Sequence, residues 1–97
     1  MVAYVIADIE ITDLARFEEY RKLVPATIAQ YGGHYLVRGG SIAPLEGDWS
    51  PSRIVILEFP DAQRAKQWLE SPEYAVARRM RQEAASTDMI VVDGVPS

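Results

Sequence analysis

The sequence predicts a single α+β domain with elements in the order β-α-β-β-α-β. Three observations carry this reading. Short runs of β-branched and aromatic residues alternate with apolar stripes at helical spacing. An Asp or Ser stands at the start of each helical stripe, where an N-cap belongs. Glycines close the first helix and the second strand. The 97 residues suit one domain, 1–97, with no repeat or linker. A content of 48% hydrophobic and 25% charged residues is that of an ordinary globular protein.

The first strand covers residues 2–9, a nearly continuous apolar run that suits a strand buried on both faces. Asp13 then caps a helix whose inner stripe is Leu14, Phe17, Tyr20, Val24, Ile28 and Tyr31, ending at Gly32-Gly33. Pro25 lies inside that helix and predicts a kink or a break, because proline lacks the N–H for one intrahelical bond. The second strand is 34–38, followed by a long Gly-, Pro- and Ser-bearing loop over 39–52 and a third strand over 53–59. Asp61 caps a helix over 62–70 with Ala62, Ala65, Trp68 and Leu69 inside. Ser71-Pro72 restarts it over 72–85, serine as cap and proline at the first helical position. The last strand is 88–93, before Gly94.

This order is the split βαβ, or ferredoxin-like, arrangement. Right-handed crossovers place the first and third strands in the centre, read here as parallel, with the second and fourth at the edges. Both helical segments then cover one face of the sheet. The central strands are apolar on both faces, so a monomer would leave a large apolar face in water. The expectation is a homodimer through that sheet face; the alternative is a monomer shielded by the 39–52 loop.

Several function classes recede on composition. A net charge of −4 without a basic stripe disfavours nucleic acid, and Arg78, Arg79 and Arg81, diluted by Glu73 and Glu83, read as a solvated helix face. No cysteine is present, which removes disulfides and thiolate chemistry, and His34 is the one histidine, so neither a metal nor an organic cofactor is expected. The chain opens directly into a strand-like run and has no apolar stretch near the ~20 residues of a bilayer span. It is expected in the cytoplasm, away from membranes. Ser71 lacks a histidine relay, and the glycine pairs match neither a P-loop nor a dinucleotide fingerprint.

The second and third strands form a hairpin. If its loop is centred near Glu46, His34 faces Glu58, Leu36 faces Ile56 and Arg38 faces Ile54, with opposed Cβ atoms about 4.5–5.5 Å apart. Tyr35, Val37, Val55, Leu57 and Phe59 would form the helix-packed side. His34, Arg38 and Glu58 would share the other side, as a pocket or as the dimer contact. His34 with Glu58 reads as a general base and its orienter, or as a structural cross-strand pair. Arg38 reads as a carboxylate anchor or as an intersubunit ion pair. Trp49, in the long loop, either closes over an apolar ligand or packs on the partner. Tyr20, Trp68 and Tyr74 are core residues with polar tips that also suit a pocket wall.

With the elements placed, the chain resembles the domain of unknown function 1330 family of small bacterial proteins. The matching stretches are Tyr31-Gly-Gly-His-Tyr-Leu-Val-Arg-Gly-Gly40, Leu45-Glu-Gly-Asp-Trp49, Glu58-Phe59, Trp68-Leu-Glu-Ser-Pro-Glu-Tyr74 and Val92-Asp-Gly94. The resemblance implies the dimeric α/β-barrel superfamily, in which two ferredoxin-like sheets face each other. It implies no activity, since the family is defined without one. Relatives in the superfamily include cofactor-free monooxygenases, small isomerases and decyclising enzymes. Three functions follow as alternatives: a cofactor-independent enzyme on a small carboxylated or aromatic metabolite, a ligand-binding or sensing module, or a structural homodimer.

Overall fold

The computed structural model describes residues 1–96. Its elements are β1 (Ala3–Ile11), α1 (Leu14–Gln30), β2 (His34–Arg38), β3 (Ile54–Phe59), α2 (Ala62–Leu69), α3 (Pro72–Ala84) and β4 (Ala85–Asp93). The three caps act as expected. Asp13 accepts from the Arg16 N–H at 3.1 Å and Asp61 from the Arg64 N–H at 2.7 Å. The Ser71 hydroxyl accepts from the Tyr74 N–H at 3.2 Å, with Pro72 at the first helical position.

The four strands form one sheet in the order β2-β3-β1-β4. The centre is β1 and β3, but they run antiparallel rather than parallel. The connectivity requires it: the α1 crossover makes β2 parallel to β1, and the β2–β3 hairpin reverses the chain again. Val5, Ala7 and Ile9 of β1 point into a core shared with Phe17, Val24 and Ile28 of α1, Leu57 and Phe59 of β3, and Trp68 of α2. All three helices cover this face.

Two other elements depart from the sequence expectation. β4 begins at Ala85, directly after α3, because its first residues continue the ladder to Ile11 of β1. α1 runs through Pro25 as one helix, without the break, the second of the two outcomes expected there. The missing Pro25 N–H frees the Arg21 carbonyl, four residues back. The Arg38 guanidinium, from β2, donates to that carbonyl at 2.9 Å and replaces the lost bond.

The uncovered face carries a row of apolar side chains across all four strands. Val37 pairs with Ile56, Ile56 with Ile6, and Ile6 with Ile90. Beside it His34, Glu58, Tyr4 and Val92 form a second row. Ile90 keeps 60% of its surface exposed.

Candidate active site

The hairpin register decides which polar residues share a face. His34 pairs with Glu58 as the sequence predicts, and Nε2 lies 2.9 Å from a Glu58 carboxylate oxygen. Beyond Tyr35 the register shifts, so Val37 pairs with Ile56 and Arg38 with Val55. One extra residue in a strand reverses the facing of all that follow. Val37 therefore belongs to the uncovered face and Arg38 to the helix face, the reverse of the sequence expectation. His34 and Glu58 do not share a site with Arg38.

On the helix side Arg38 lies over the Tyr35 ring, 4.5 Å from its centroid, at a cleft between α1 and the sheet. The apolar walls include Phe17, Val24, Val55, Leu57, Trp68 and Met89. Arg21, Arg38, Arg53 and Arg81 supply the charge, and the lining contains no Asp, Glu or His. Arg38 is exposed and Arg21 and Arg53 are half-buried, so they form the mouth, whereas Arg81 is 6% exposed and lies at the floor.

Three of these four cations have no carboxylate partner among the described residues. Arg16 pairs with Glu83 at 3.1 Å, and Arg78 with Glu70 at 3.4 Å. Arg21 has Glu18 at 3.2 Å. Among the described residues, no ion pair involves Arg38, Arg53 or Arg81. Burial first, then the charges of Arg21 and Arg38, push the Arg53 guanidinium below its ordinary value. Arg53 also rests over the Phe17 ring, and its Nε is buried without a hydrogen-bond partner. Gly39 makes room for it: the glycine has φ +72°, and a Cβ there would collide with the Arg53 guanidinium.

At the floor, the Tyr20 and Tyr74 hydroxyls are 2.8 Å apart, and Arg81 Nε donates to the Tyr74 oxygen at 3.3 Å. Burial chiefly, and then Tyr74, hold the Tyr20 hydroxyl far above the ordinary tyrosine range. Burial also raises Tyr35, with Arg38 opposing. Trp68 stacks on Tyr74 with ring centroids 4.2 Å apart and donates its indole N–H to Thr27 at 3.1 Å. The internal space is about 30 Å³. That is room for water but not for an aromatic molecule. An organic ligand must therefore displace the side chains at the mouth, of which Arg38 is the most exposed.

The structure thus gathers Tyr20, Arg38 and Trp68 at one cleft, with Tyr74 directly behind Tyr20. Trp49 is elsewhere: it is 65% exposed and donates to the Asp8 carboxylate at 3.3 Å. The same carboxylate accepts from the Ser52 N–H at 2.9 Å, so Asp8 anchors the end of the 39–52 loop. Arg21, Arg53 and Arg81 were not singled out as site residues by the sequence, and Arg81 is not on a solvated face as expected. Two patterns carried the signal. Arg53 alternates with Val55, Leu57 and Phe59, and Arg81 falls on the α3 stripe of Tyr74, Ala77 and Ala84.

The family model described as Domain of unknown function (DUF1330) matches residues 2–95. The chain belongs to this family. No curated protein matches the sequence significantly. Among solved structures, the chain is similar to RPA0582, a protein of unknown function from Rhodopseudomonas palustris. The TM-score is 0.78 at 16% identity, covering 99% of this chain and 84% of that one. It is also similar to SnoaB, a cofactor-independent oxygenase from Streptomyces nogalater, with TM-score 0.66, 15% identity, and coverage of 99% and 94%. At these identities the likeness defines the fold alone, which is ferredoxin-like. Among the described residues, no helix is long and apolar enough to cross a membrane.

Proposed function

We propose that this chain is a homodimeric, cytoplasmic small-molecule protein whose helix-side cleft takes a carboxylated aromatic ligand. The carboxylate sits on Arg38 and Arg53 at the mouth, and the ring lies against Phe17, Tyr35 and Trp68. The observation that carries this reading is the set of Arg38, Arg53 and Arg81 guanidiniums, none in an ion pair among the described residues, around an apolar cleft in a chain whose net charge is −4. Planar guanidinium groups bind carboxylates bidentately, and a low-dielectric wall strengthens that contact.

The test is a thermal-shift screen of small aromatic acids. A specific ligand at 100 times its Kd stabilises the native state by about 2.7 kcal/mol. For a domain of this size that is a rise of roughly 10–20 °C. The rise shrinks in Arg38→Ala and Arg53→Ala. A screen in which no acid shifts the wild type, or in which both variants respond fully, removes the reading.

A second reading, turnover of the bound molecule without a cofactor, is favoured by the buried Tyr20–Tyr74–Arg81 chain and by the fold shared with a cofactor-independent oxygenase. His34 and Glu58 then lie outside the reacting cleft, across the sheet. In the proposed dimer they and Trp49 belong to the contact between sheets, where the row Val37, Ile56, Ile6 and Ile90 is covered by its two-fold mate. Sedimentation at low micromolar concentration gives a dimer, and Ile56→Lys gives a monomer. A wild type that sediments as a monomer overturns the assembly.

A further inference from the structure

The floor of the cleft has a directed hydrogen-bond chain. A guanidinium donates and never accepts, so Arg81 Nε must be the donor to the Tyr74 oxygen. Tyr74 is fully buried, and its hydroxyl hydrogen has one acceptor among the described residues, the Tyr20 oxygen at 2.8 Å. Either order leaves one hydroxyl hydrogen over: on the fully buried Tyr74, where an unpartnered hydrogen costs about 1–3 kcal/mol, or on Tyr20, which lines the cleft and can meet water or a ligand there. The order is therefore Arg81 to Tyr74 to Tyr20. The Tyr20 hydrogen is left over, and Tyr20 lines the cleft whereas Tyr74 does not. Each link polarises the next, and the Arg81 charge works against the larger raising effects of burial and Tyr74, so the last hydroxyl is a stronger donor than it would be without the cation. No carboxylate of the described chain neutralises Arg81.

We infer that Tyr20 is an oxyanion donor for a phenolic or enolic oxygen of the ligand, powered through Tyr74 by the buried Arg81 guanidinium. This rests on the cleft reading above and deepens it: the ligand has an acidic hydroxyl at the end opposite its carboxylate. Binding favours the ionised ligand. The ligand O–H bond breaks with its electron pair staying on oxygen, and the proton leaves to water. Tyr20, Tyr74 and Arg81 keep all their hydrogens throughout. Tyr20 touches the ligand; Tyr74 and Arg81 act through it and are positioning residues.

The test uses 4-hydroxy-3-nitrobenzoate, whose phenolate absorbs in the visible and whose carboxylate suits the mouth. It is bound to the full-length protein at the pH where the free probe is half ionised. At saturation the wild type raises the phenolate-to-phenol ratio by about tenfold or more, one unit of the probe's acidity. Tyr20→Phe returns the ratio to near its solution value. Tyr74→Phe and Arg81→Met, which leave the Tyr20 hydroxyl in place, lower it several-fold. A purely structural role in packing would not move that spectrum. Arg38→Ala weakens binding and leaves the saturated ratio unchanged. Should Tyr20→Phe fail to fold, Tyr74→Phe and Arg81→Met decide the question. A bound probe with the same ratio in wild type and Tyr74→Phe overturns the inference while the cleft reading stands. A ratio that collapses in Arg38→Ala places the phenolate at the mouth and also overturns it. A probe that does not bind the wild type at all removes both.

Discussion

Gly39→Ala perturbs the cleft mouth without removing any of its side chains. Gly39 has φ +72°, where an L-residue pays about 1–2 kcal/mol. The new Cβ would also strike the Arg53 guanidinium, which must leave its place over the Phe17 ring, 5.5 Å away. A cation–π contact of this kind contributes about 0.5–2 kcal/mol, depending on how dry it is. The substitution therefore costs about 1.5–4 kcal/mol, the sum of these backbone and contact terms. In an Arg53→Ala background the collision is gone and only the backbone part remains. Urea unfolding of the four proteins in this cycle should give a coupling of about 0.5–2 kcal/mol, with Gly39→Ala the cheaper in the absence of Arg53. Gly39→Ala should also weaken binding of aromatic acids much as Arg53→Ala does. Additive costs within ~0.3 kcal/mol, together with unchanged binding, would refute the claim that Gly39 seats Arg53 at the mouth.

Two further outcomes follow from the same geometry. His34→Ala breaks a cross-strand pair whose histidine is 60% exposed. It should cost at most about 1 kcal/mol in urea unfolding and leave ligand affinity in the cleft unchanged; a large loss of affinity would put His34 in the site after all. Tyr20 is held neutral in the folded chain, while an unfolded tyrosine ionises near 10.0. A folded value raised above the unfolded one means that the contribution is complete below that pH and declines above it. Stability should fall by about 1.4 kcal/mol per pH unit above that point for this group. Tyr20→Phe should flatten this alkaline slope, and an unchanged slope would contradict a buried, neutral Tyr20.

The fold was legible in the sequence because its signals are local. Asp13, Asp61 and Ser71 mark helix starts by their own chemistry, and Gly32 ends α1 with φ +77°. The site was legible only in part, because its decisive features are not local. The Leu36 bulge carries no glycine or proline to announce it, yet it moves Arg38 from one face of the sheet to the other. The partner of the carbonyl that Pro25 frees in α1 is a guanidinium thirteen residues further along the chain, on another element. Arg81 shows the opposite failing. Its place on the Tyr74, Ala77 and Ala84 stripe was readable, but a run of three arginines with glutamates nearby suggested solvent. The His34–Glu58 pair was predicted from the hairpin and found, although on the face away from the cleft.

The central claim is that the helix-side cleft, and not the open sheet face, receives an aromatic acid. The most direct measurement is a heteronuclear NMR titration of the full-length protein with a hydroxybenzoate, following arginine Nε–H, tryptophan indole and histidine ring resonances together. The account predicts saturable shifts at Arg38, Arg53, Arg81 and Trp68, with Trp49 and His34 unmoved. Shifts confined to Trp49 and His34, with the four cleft residues silent, would contradict it.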